Sequence, residues 1–376
     1  MPTDVAVIMG TRPEAIKLAP VVLALRKSGL RVRIVATGQH QELLHQALGA
    51  FRLQADVDLR VMQPDQDLTG LTTRSLTALT GALQAERPRF ALVQGDATTA
   101  VTGALACFYL GIGCGHVEAG LRSGNLKAPW PEEMNRRLAD QLCARHYPPT
   151  EGARLNLLKE GFESSSLLVT GQTGVDAVLH VAEQAGNETP PELAGLVGRQ
   201  GERLVYATGH RRESFSGEIR EVTTALRALV EERPEVRVIF PIHPNPSVGR
   251  QLADLIGVHE RLRLIDAVSY PASIWLMRHA DVIVTDSGGI QEEAPTFGVP
   301  VLVTRDLTER PEGIEPGFLK IVGTGASSVL AQLRSTLDDP GLRRRLKALP
   351  NPYGDGQASR RITEDVMRLL AEAPAS

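Results

Sequence analysis

Short β-branched and apolar runs alternate with helical patterns along the whole chain, and this alternation leaves few folds open. Parallel strands need a crossover connection, so strand, helix and strand in succession build a parallel sheet. In the first half the expected strands are Val5–Met9, Val32–Ala36, Phe90–Gln94, Gly115–Val117 and Leu167–Thr170. In the second half they are Arg203–Thr208, Val236–Pro241, Leu262–Ile265, Val282–Thr285 and Val299–Val303. Helical stretches separate most of them, for example Ala97–Leu110 and Glu218–Glu232, and Ala358–Ala371 reads as a final amphipathic helix. The segment GNETPPELAGLVGRQG at 186–201 carries a Pro pair and four glycines, which marks a connection rather than a core element. With 376 residues the chain exceeds the size at which one core stops growing. The expectation is an α/β fold of two Rossmann-like domains facing a central cleft, 1–171 and 172–357, with the boundary between 172 and 200.

Composition narrows the class. Hydrophobic content of 42% with 23% charged residues suits a globular protein rather than a disordered one. A net charge of -3 offers no electrostatic footprint for nucleic acid or for an anionic membrane surface. Cys107, Cys114 and Cys143 are odd in number and form no CxxC pair, so neither a disulfide framework nor a zinc site is expected. The N-terminus has no basic region before its short apolar run, and a cytoplasmic location is expected. Between Asp96 and Glu118 no Asp, Glu, Lys or Arg occurs, which imitates a membrane span. Gly111 and Gly113 break that stretch, so a buried helix followed by a buried strand is expected instead.

Ligands of open parallel sheets bind beyond the carboxyl ends of the strands, so the residues following each strand matter most. GTRPEAIK follows Val5–Met9, Gly95-Asp96 follows Phe90–Gln94, and Glu118 follows Gly115–Val117. GHRRES follows Arg203–Thr208, and DSGGIQEEAP follows Val282–Thr285. Thr11 with Glu14 makes a capping box, Pro13 suits a first helical turn, and Pro20 is expected to kink the helix. Those roles leave Arg12 and Lys17 unexplained: two cations near a positive helix end call for an anion such as phosphate. Asp286-Ser287-Gly288-Gly289 opens another helix, either as a phosphate cradle or simply as a turn. The glycines at 111, 113 and 115 stand before a strand rather than after one, so they are no dinucleotide fingerprint. Asp96, Glu118 and Glu132 are candidate general acids or bases, although Asp96 has an ordinary alternative as the cap of the helix at Ala97. His210 reads equally as a functional or a hydrogen-bonded structural histidine. His40, His45 and His243 lack metal-ligand spacing, and no metal or other cofactor is expected.

Ten segments taken together resemble the bacterial non-hydrolysing UDP-N-acetylglucosamine 2-epimerases. They are GTRPEAIKLAP (10–20), TGQH (37–40), QGDATT (94–99), HVEAGLRSG (116–124) and PWPEEMNRR (129–137), then TGHRRESF (208–215), TDSGGIQEEAP (285–295), TERPE (308–312), VGTG (322–325) and NPYGDGQAS (351–359). They occur in family order and span almost the whole chain. The hydrolysing relatives carry an acidic-aromatic segment where this chain has Pro13-Glu14-Ala15-Ile16-Lys17.

The resemblance implies a glycosyltransferase-B-like fold, with the stretch 358–376 crossing back to the first domain, and a homodimer. It places Asp96, Glu118, Glu132 and His210 at catalytic positions. It places Arg12, Lys17, Ser287, Gly288, Gly289, Glu293 and Arg310 around the UDP-sugar, with Glu293 on the ribose and 287–289 on the diphosphate. Val268 and Ser273 stand where family members contact uracil through Gln- and Phe-like side chains. A second, regulatory UDP-N-acetylglucosamine would meet Gln39, His40, Gln66, Arg211 and His243, with an acid at Asp65 where regulated members carry a base. The implied reaction is reversible epimerisation at carbon 2 through UDP elimination, supplying precursors of cell-surface polysaccharide. The competing readings are a hydrolysing epimerase, a glycosyltransferase of similar fold, and a silent sugar-nucleotide sensor.

Overall fold

A computed structural model describes residues 3–38, 41–63, 67–198, 201–209, 217–242, 257 and 259–372. The chain divides into two compact units, residues 1–180 with 353–376, and residues 181–352. The first division falls inside a helix.

The first unit is built on β1 (Val5–Met9), β2 (Val32–Ala36), β3 (Val57–Asp58), β4 (Phe90–Gln94), β5 (Gly113–Val117) and β6 (Arg145–Tyr147). All pair in parallel, in the order β3-β2-β1-β4-β5-β6. Its helices are α1 (Arg12–Lys27), α2 (Gln41–Gly49), α3 (Leu68–Glu86), α4 (Thr98–Leu110), α5 (Glu132–Leu142), α6 (Glu151–Lys159) and α7 (Thr173–Ala185). The central strands are buried along their whole length, as a parallel sheet covered on both faces requires. The near-neutral stretch before Glu118 is α4 followed by β5, and among the described residues no helix is long and apolar enough to cross a membrane.

Two expectations on this unit need correction. Gly113 and Gly115 lie inside β5 rather than before it; a Cβ on Gly115 would stand 2.8 Å from the Tyr147 ring, so the strand is glycine-rich to admit its neighbour. Leu167–Thr170 forms no strand and touches the sheet only through a bridge from Leu167 to His146. The short strands β3 and β6 escape a pattern search because each has fewer than four residues.

Helix α1 begins with the expected capping box. The Thr11 side chain accepts from the Glu14 amide, while Glu14 Oε2 accepts from the Thr11 amide at 2.7 Å and from the Gly10 amide at 3.0 Å. The helix then continues through Pro20. Glu14 Oε1 is buried with no hydrogen-bond partner among the described residues. Burial dominates there and pushes the carboxyl up to about 7, against the lowering effect of its three donors.

The C-terminal helix (Ala358–Glu372) packs on α1 in the same unit, with Ile362 and Val366 fully buried. Its anchor is Asp365, which accepts from Arg145 Nε at 2.7 Å and Nη2 at 2.9 Å and from Tyr147 Oη at 3.1 Å. Burial opposes the charge on Asp365, but these donors outweigh it and hold its pKa low.

The second unit repeats the plan with β7 (Arg203–Thr208), β8 (Val236–Pro241), β9 (Leu262–Ile265), β10 (Val282–Thr285), β11 (Val301–Val303) and β12 (Leu319–Ile321). Its order, β9-β8-β7-β10-β11-β12, has the same connectivity as the first sheet, and both match the Rossmann arrangement. Its helices are α8 (Glu218–Glu232), α9 (Tyr270–His279), α10 (Gly288–Glu293), α11 (Ala326–Leu337) and α12 (Leu342–Lys347). A core of Val205, Leu226, Val238, Val284 and Leu333 lies between this sheet and helices α8 and α11. Among the described residues of the 186–201 segment, Pro191–Leu193 forms a 3-10 turn, with Leu193 buried.

Two stability outcomes follow. Asp365→Ala strands the buried Arg145 guanidinium and should cost the first unit about 3 kcal/mol or more, read as a shift in the denaturant midpoint. An unshifted midpoint would remove the anchor role. A carboxyl whose pKa is raised on folding favours the fold below its ordinary value of 4.5, and loses that advantage as pH rises towards about 7. Glu14→Gln should therefore gain stability relative to the parent across that window, by up to about 3 kcal/mol. A difference that stays constant with pH would contradict the raised pKa.

Candidate active site

In each sheet the strand order reverses between two neighbours, β1 and β4 in the first unit and β7 and β10 in the second. At such a switch point the loops diverge to opposite faces and leave a crevice at the carboxyl ends. Most described candidates sit at or beside one of these two points, and each unit carries its own group.

In the first unit Gly10 follows β1, Gly95-Asp96 follows β4, and Glu118 follows β5. Thr37 and Thr99 close the rear through a 3.0 Å bond between their hydroxyls, and both stand against Gly10, where no side chain fits. Glu118 adopts a left-handed backbone with φ of 67°, a strained choice for a residue with a Cβ. That turn directs its carboxylate at Lys17, whose Nζ lies 2.5 Å from Oε2, both side chains being buried. Gln94 donates to the same oxygen. The anion that Lys17 meets here is thus Glu118, while Arg12 stands half-buried one turn earlier at the start of α1.

Asp96 does not cap the following helix: the N-cap of α4 is Ala97, without a side-chain bond. Its carboxylate pairs with the buried Arg136 of α5, and its carbonyl accepts from Asn135 Nδ2 at 2.9 Å. Helix α5 supplies most of this scaffolding. Glu132 opens the helix and is half-buried, whereas its neighbour Glu133 is fully buried and accepts from the Ser123 amide, Arg136 and Arg137. Farther along the same helix Asp140 meets His116 at 2.6 Å and Arg122 at 2.7 Å. Burial works against both charges, yet Asp140 raises the pKa of His116, and His116 with Arg122 lowers that of Asp140. Gln94, His116, Glu133, Arg136 and Asp140 were not singled out from the sequence. The 3–4 residue spacing of 133, 136 and 140 on one helix face was the signal available.

In the second unit Thr208 and Thr285 join the ends of β7 and β10 through a 2.6 Å hydroxyl bond, and Thr285 Oγ1 accepts from the Ser287 amide at 3.0 Å. Ser287, Gly288 and Gly289 are half-buried at the start of α10, and Ser287 makes no side-chain cap bond. Arg310 lies over Gly288 so closely that a Cβ there would stand 2.6 Å from its guanidinium. The same guanidinium is held by Glu292 at 2.5 Å and Glu309 at 2.8 Å. Glu293 is buried and accepts from Tyr270 Oη at 3.2 Å. Ser273 shares a 2.9 Å bond with Tyr206, and Val268 is buried. His210, Arg211, His243, Gln39, His40, Asp65 and Gln66 lie outside the described residues.

Comparison with known proteins fits this geometry. A family model described as UDP-N-acetylglucosamine 2-epimerase matches residues 23–367. The UDP-N-acetylglucosamine 2-epimerase of Escherichia coli K12 is 43% identical over 365 residues, covering 96% of this chain and 97% of its own length. That of Bacillus subtilis is 40% identical over 364 residues, covering 96% and 94%. Among solved structures, the Neisseria meningitidis UDP-GlcNAc 2-epimerase bound to UDP-GlcNAc superposes with a TM-score of 0.90 at 38% identity, covering 97% of this chain and 100% of that one. The spinosyn rhamnosyltransferase SpnG, at 16% identity and a TM-score of 0.57, shares the fold alone, which is of the glycosyltransferase-B kind. By the match of the family model and by these near-complete alignments, the chain belongs to the UDP-N-acetylglucosamine 2-epimerase family.

Proposed function

We propose that the protein interconverts UDP-N-acetylglucosamine and UDP-N-acetylmannosamine by eliminating and re-adding UDP, without net hydrolysis. One observation carries this reading: Asp96 and Glu118 follow the neighbouring parallel strands β4 and β5, and each meets a buried cation, Arg136 and Lys17. Two carboxylates at the ends of neighbouring strands beside a switch point suit a reaction that removes and returns a proton.

The chemistry explains why both are needed. Carbon 2 of the sugar has no carbonyl neighbour in the ring, so its proton is far too weakly acidic to be removed alone. In the elimination a carboxylate takes the proton from carbon 2. The C–H electron pair becomes the C1=C2 double bond, and the C1–O bond breaks with its electrons leaving on UDP. The product is 2-acetamidoglucal. Protonation of carbon 2 on the opposite face and return of the UDP oxygen to carbon 1 complete the epimerisation. We assign the first abstraction to Asp96, with Glu118 and Glu132 as the other members of the proton-transfer set.

Expelled UDP carries negative charge that fixed donors must stabilise. Arg12, His210, Arg310 and the Gly288 and Gly289 amides are assigned that task, with Ser287 beside them and Glu293 on the ribose. Lys17 supports Glu118 directly. Non-hydrolysing chemistry is favoured by the segment Pro13-Glu14-Ala15-Ile16-Lys17, which differs from the acidic-aromatic motif of hydrolysing relatives. A cytoplasmic location suits three buried free thiols. A homodimer suits the exposed Phe108 and Tyr109 of α4 and the exposed Met134 and Leu138 of α5, since these two helices pack together. The product would serve cell-surface polysaccharide synthesis.

Incubation with UDP-N-acetylglucosamine alone should yield UDP-N-acetylmannosamine with the nucleotide still attached. Sustained release of free N-acetylmannosamine would instead make the protein a hydrolysing epimerase, and inertness without an acceptor would make it a transferase. Asp96→Asn and Glu118→Gln should each lower turnover at least about a hundredfold with the fold intact by circular dichroism. Parental rates in both variants would remove the site assignment.

A further inference from the structure

The proposed proton transfers make no use of His116, yet this side chain is fully buried directly behind them. Its Nδ1 lies 2.6 Å from Asp140 Oδ1, and its Nε2 lies 2.8 Å from the Gly95 carbonyl oxygen. Both partners can only accept. A peptide carbonyl has no proton to give, and the Asp140 carboxyl is held below the usual range while its second oxygen accepts from Arg122 at 2.7 Å. A neutral imidazole carries one N–H, so it would turn a lone pair against an oxygen at one end or the other. That arrangement would bury an unfavourable contact in a site without solvent.

We propose that His116 is held as an imidazolium and is a positioning residue for Asp96, because its second N–H fixes the carbonyl of the residue before that carboxylate. The proposal rests on the reading of Asp96 as a proton-transfer group. Gly95 is in the left-handed region, with φ of 71°, and its amide donates to the Val117 carbonyl at 3.0 Å. His116 therefore completes the attachment of Gly95 from the carbonyl side. Asp96 itself is tied by Asn135 at its carbonyl and by Arg136 at its carboxylate. Every one of these restraints originates on β5 or α5, and Asp140 joins those two elements through the same imidazole. A proton-transfer group displaced by even about 1 Å loses much of its rate, which is what such restraints prevent.

The charges around the ring agree with the cation. Asp140 faces it from α5, Arg122 reaches Asp140 from the loop after β5, and Glu160 at the end of α6 pairs with Arg122 at 2.7 Å. His146 on β6 places Nε2 2.9 Å from the Asp140 carbonyl oxygen, and burial lowers its pKa, so it adds no second cation. With His116 protonated, its charge and that of Arg122 face Asp140 and Glu160, while Arg137 reaches Glu160 at 3.8 Å and is itself paired with Glu133 at 3.0 Å.

The test begins with the intact enzyme, labelled with 15N-histidine and with the ring signals assigned by loss in His116→Gln. Both ring nitrogens of His116 should be protonated and unchanged from about pH 6 to about pH 8. A singly protonated ring at about pH 7 would overturn the proposal whatever the activity data show. In His116→Gln the amide N–H can still reach Gly95, but the amide oxygen turns towards Asp140. Turnover number should fall about ten- to a hundredfold while KM stays within about twofold. Adding Asp140→Asn lets a side-chain amide donate to that oxygen, so the double variant should recover about tenfold in turnover without any charge. A purely structural histidine would lower the yield of folded enzyme and leave its turnover per folded molecule unchanged, which would overturn the positioning role. Full activity in Asp96→Asn would defeat the reading of Asp96, and with it the positioning role, while leaving the ring-protonation result intact; the two failures are thus distinguishable.

Discussion

Parallel pairing is the constraint from which the rest of this molecule follows. Each strand must be reached by a crossover, so every strand of a sheet ends on the same edge, and the chain segments that follow are brought together there. In the first unit this gathers Gly10, Asp96 and Glu118 from three sequence regions onto one edge. In the second unit it does the same for Gly209 and Asp286-Ser287. No long-range pairing specific to those side chains is needed to assemble either group.

What the edge does not supply is orientation, and local devices provide it. Glu118 is turned by a left-handed backbone and met by Lys17, the capping box seats α1 on β1, and α5 carries the partners that hold Asp96. Each device has a cost. The αL residue carries strain of roughly 1 kcal/mol or more, and the buried Glu14 carboxyl opposes folding at neutral pH. Such expenditure at the ends of β1, β4 and β5, beside a largely apolar buried sheet interior, is a pattern expected where chemistry rather than stability set the residues.

The strands and helices of both units were legible to the extent that apolar runs exceeded about four residues. The strands β1, β2, β4, β7, β8, β9 and β10 have the expected bounds, each having at least four residues in a β-branched or apolar pattern. Strand β6 was not legible: Arg145, His146 and Tyr147 look like a polar turn until Asp365, far away in sequence, neutralises the arginine. Pro20 lies inside α1, which runs on from it to Lys27. Around the candidate site the residues that follow strands were legible from the topology alone. The supporting residues were not, because Glu133, Arg136, Asp140 and His116 acquire meaning only once α5 lies against α4 and β5. His210 and the positions expected to regulate the enzyme rest on the family pattern, not on described geometry.

The central claim is that a proton leaves and returns to carbon 2 through side chains at the ends of β4 and β5. Equilibrating the enzyme with UDP-N-acetylglucosamine in heavy water, and reading carbon 2 by proton NMR, tests it most directly. The account predicts deuterium at carbon 2 in both epimers, appearing at the rate of epimerisation in the parent and slowed in parallel with turnover in Asp96→Asn. Epimerisation with full retention of protium at carbon 2 would contradict it.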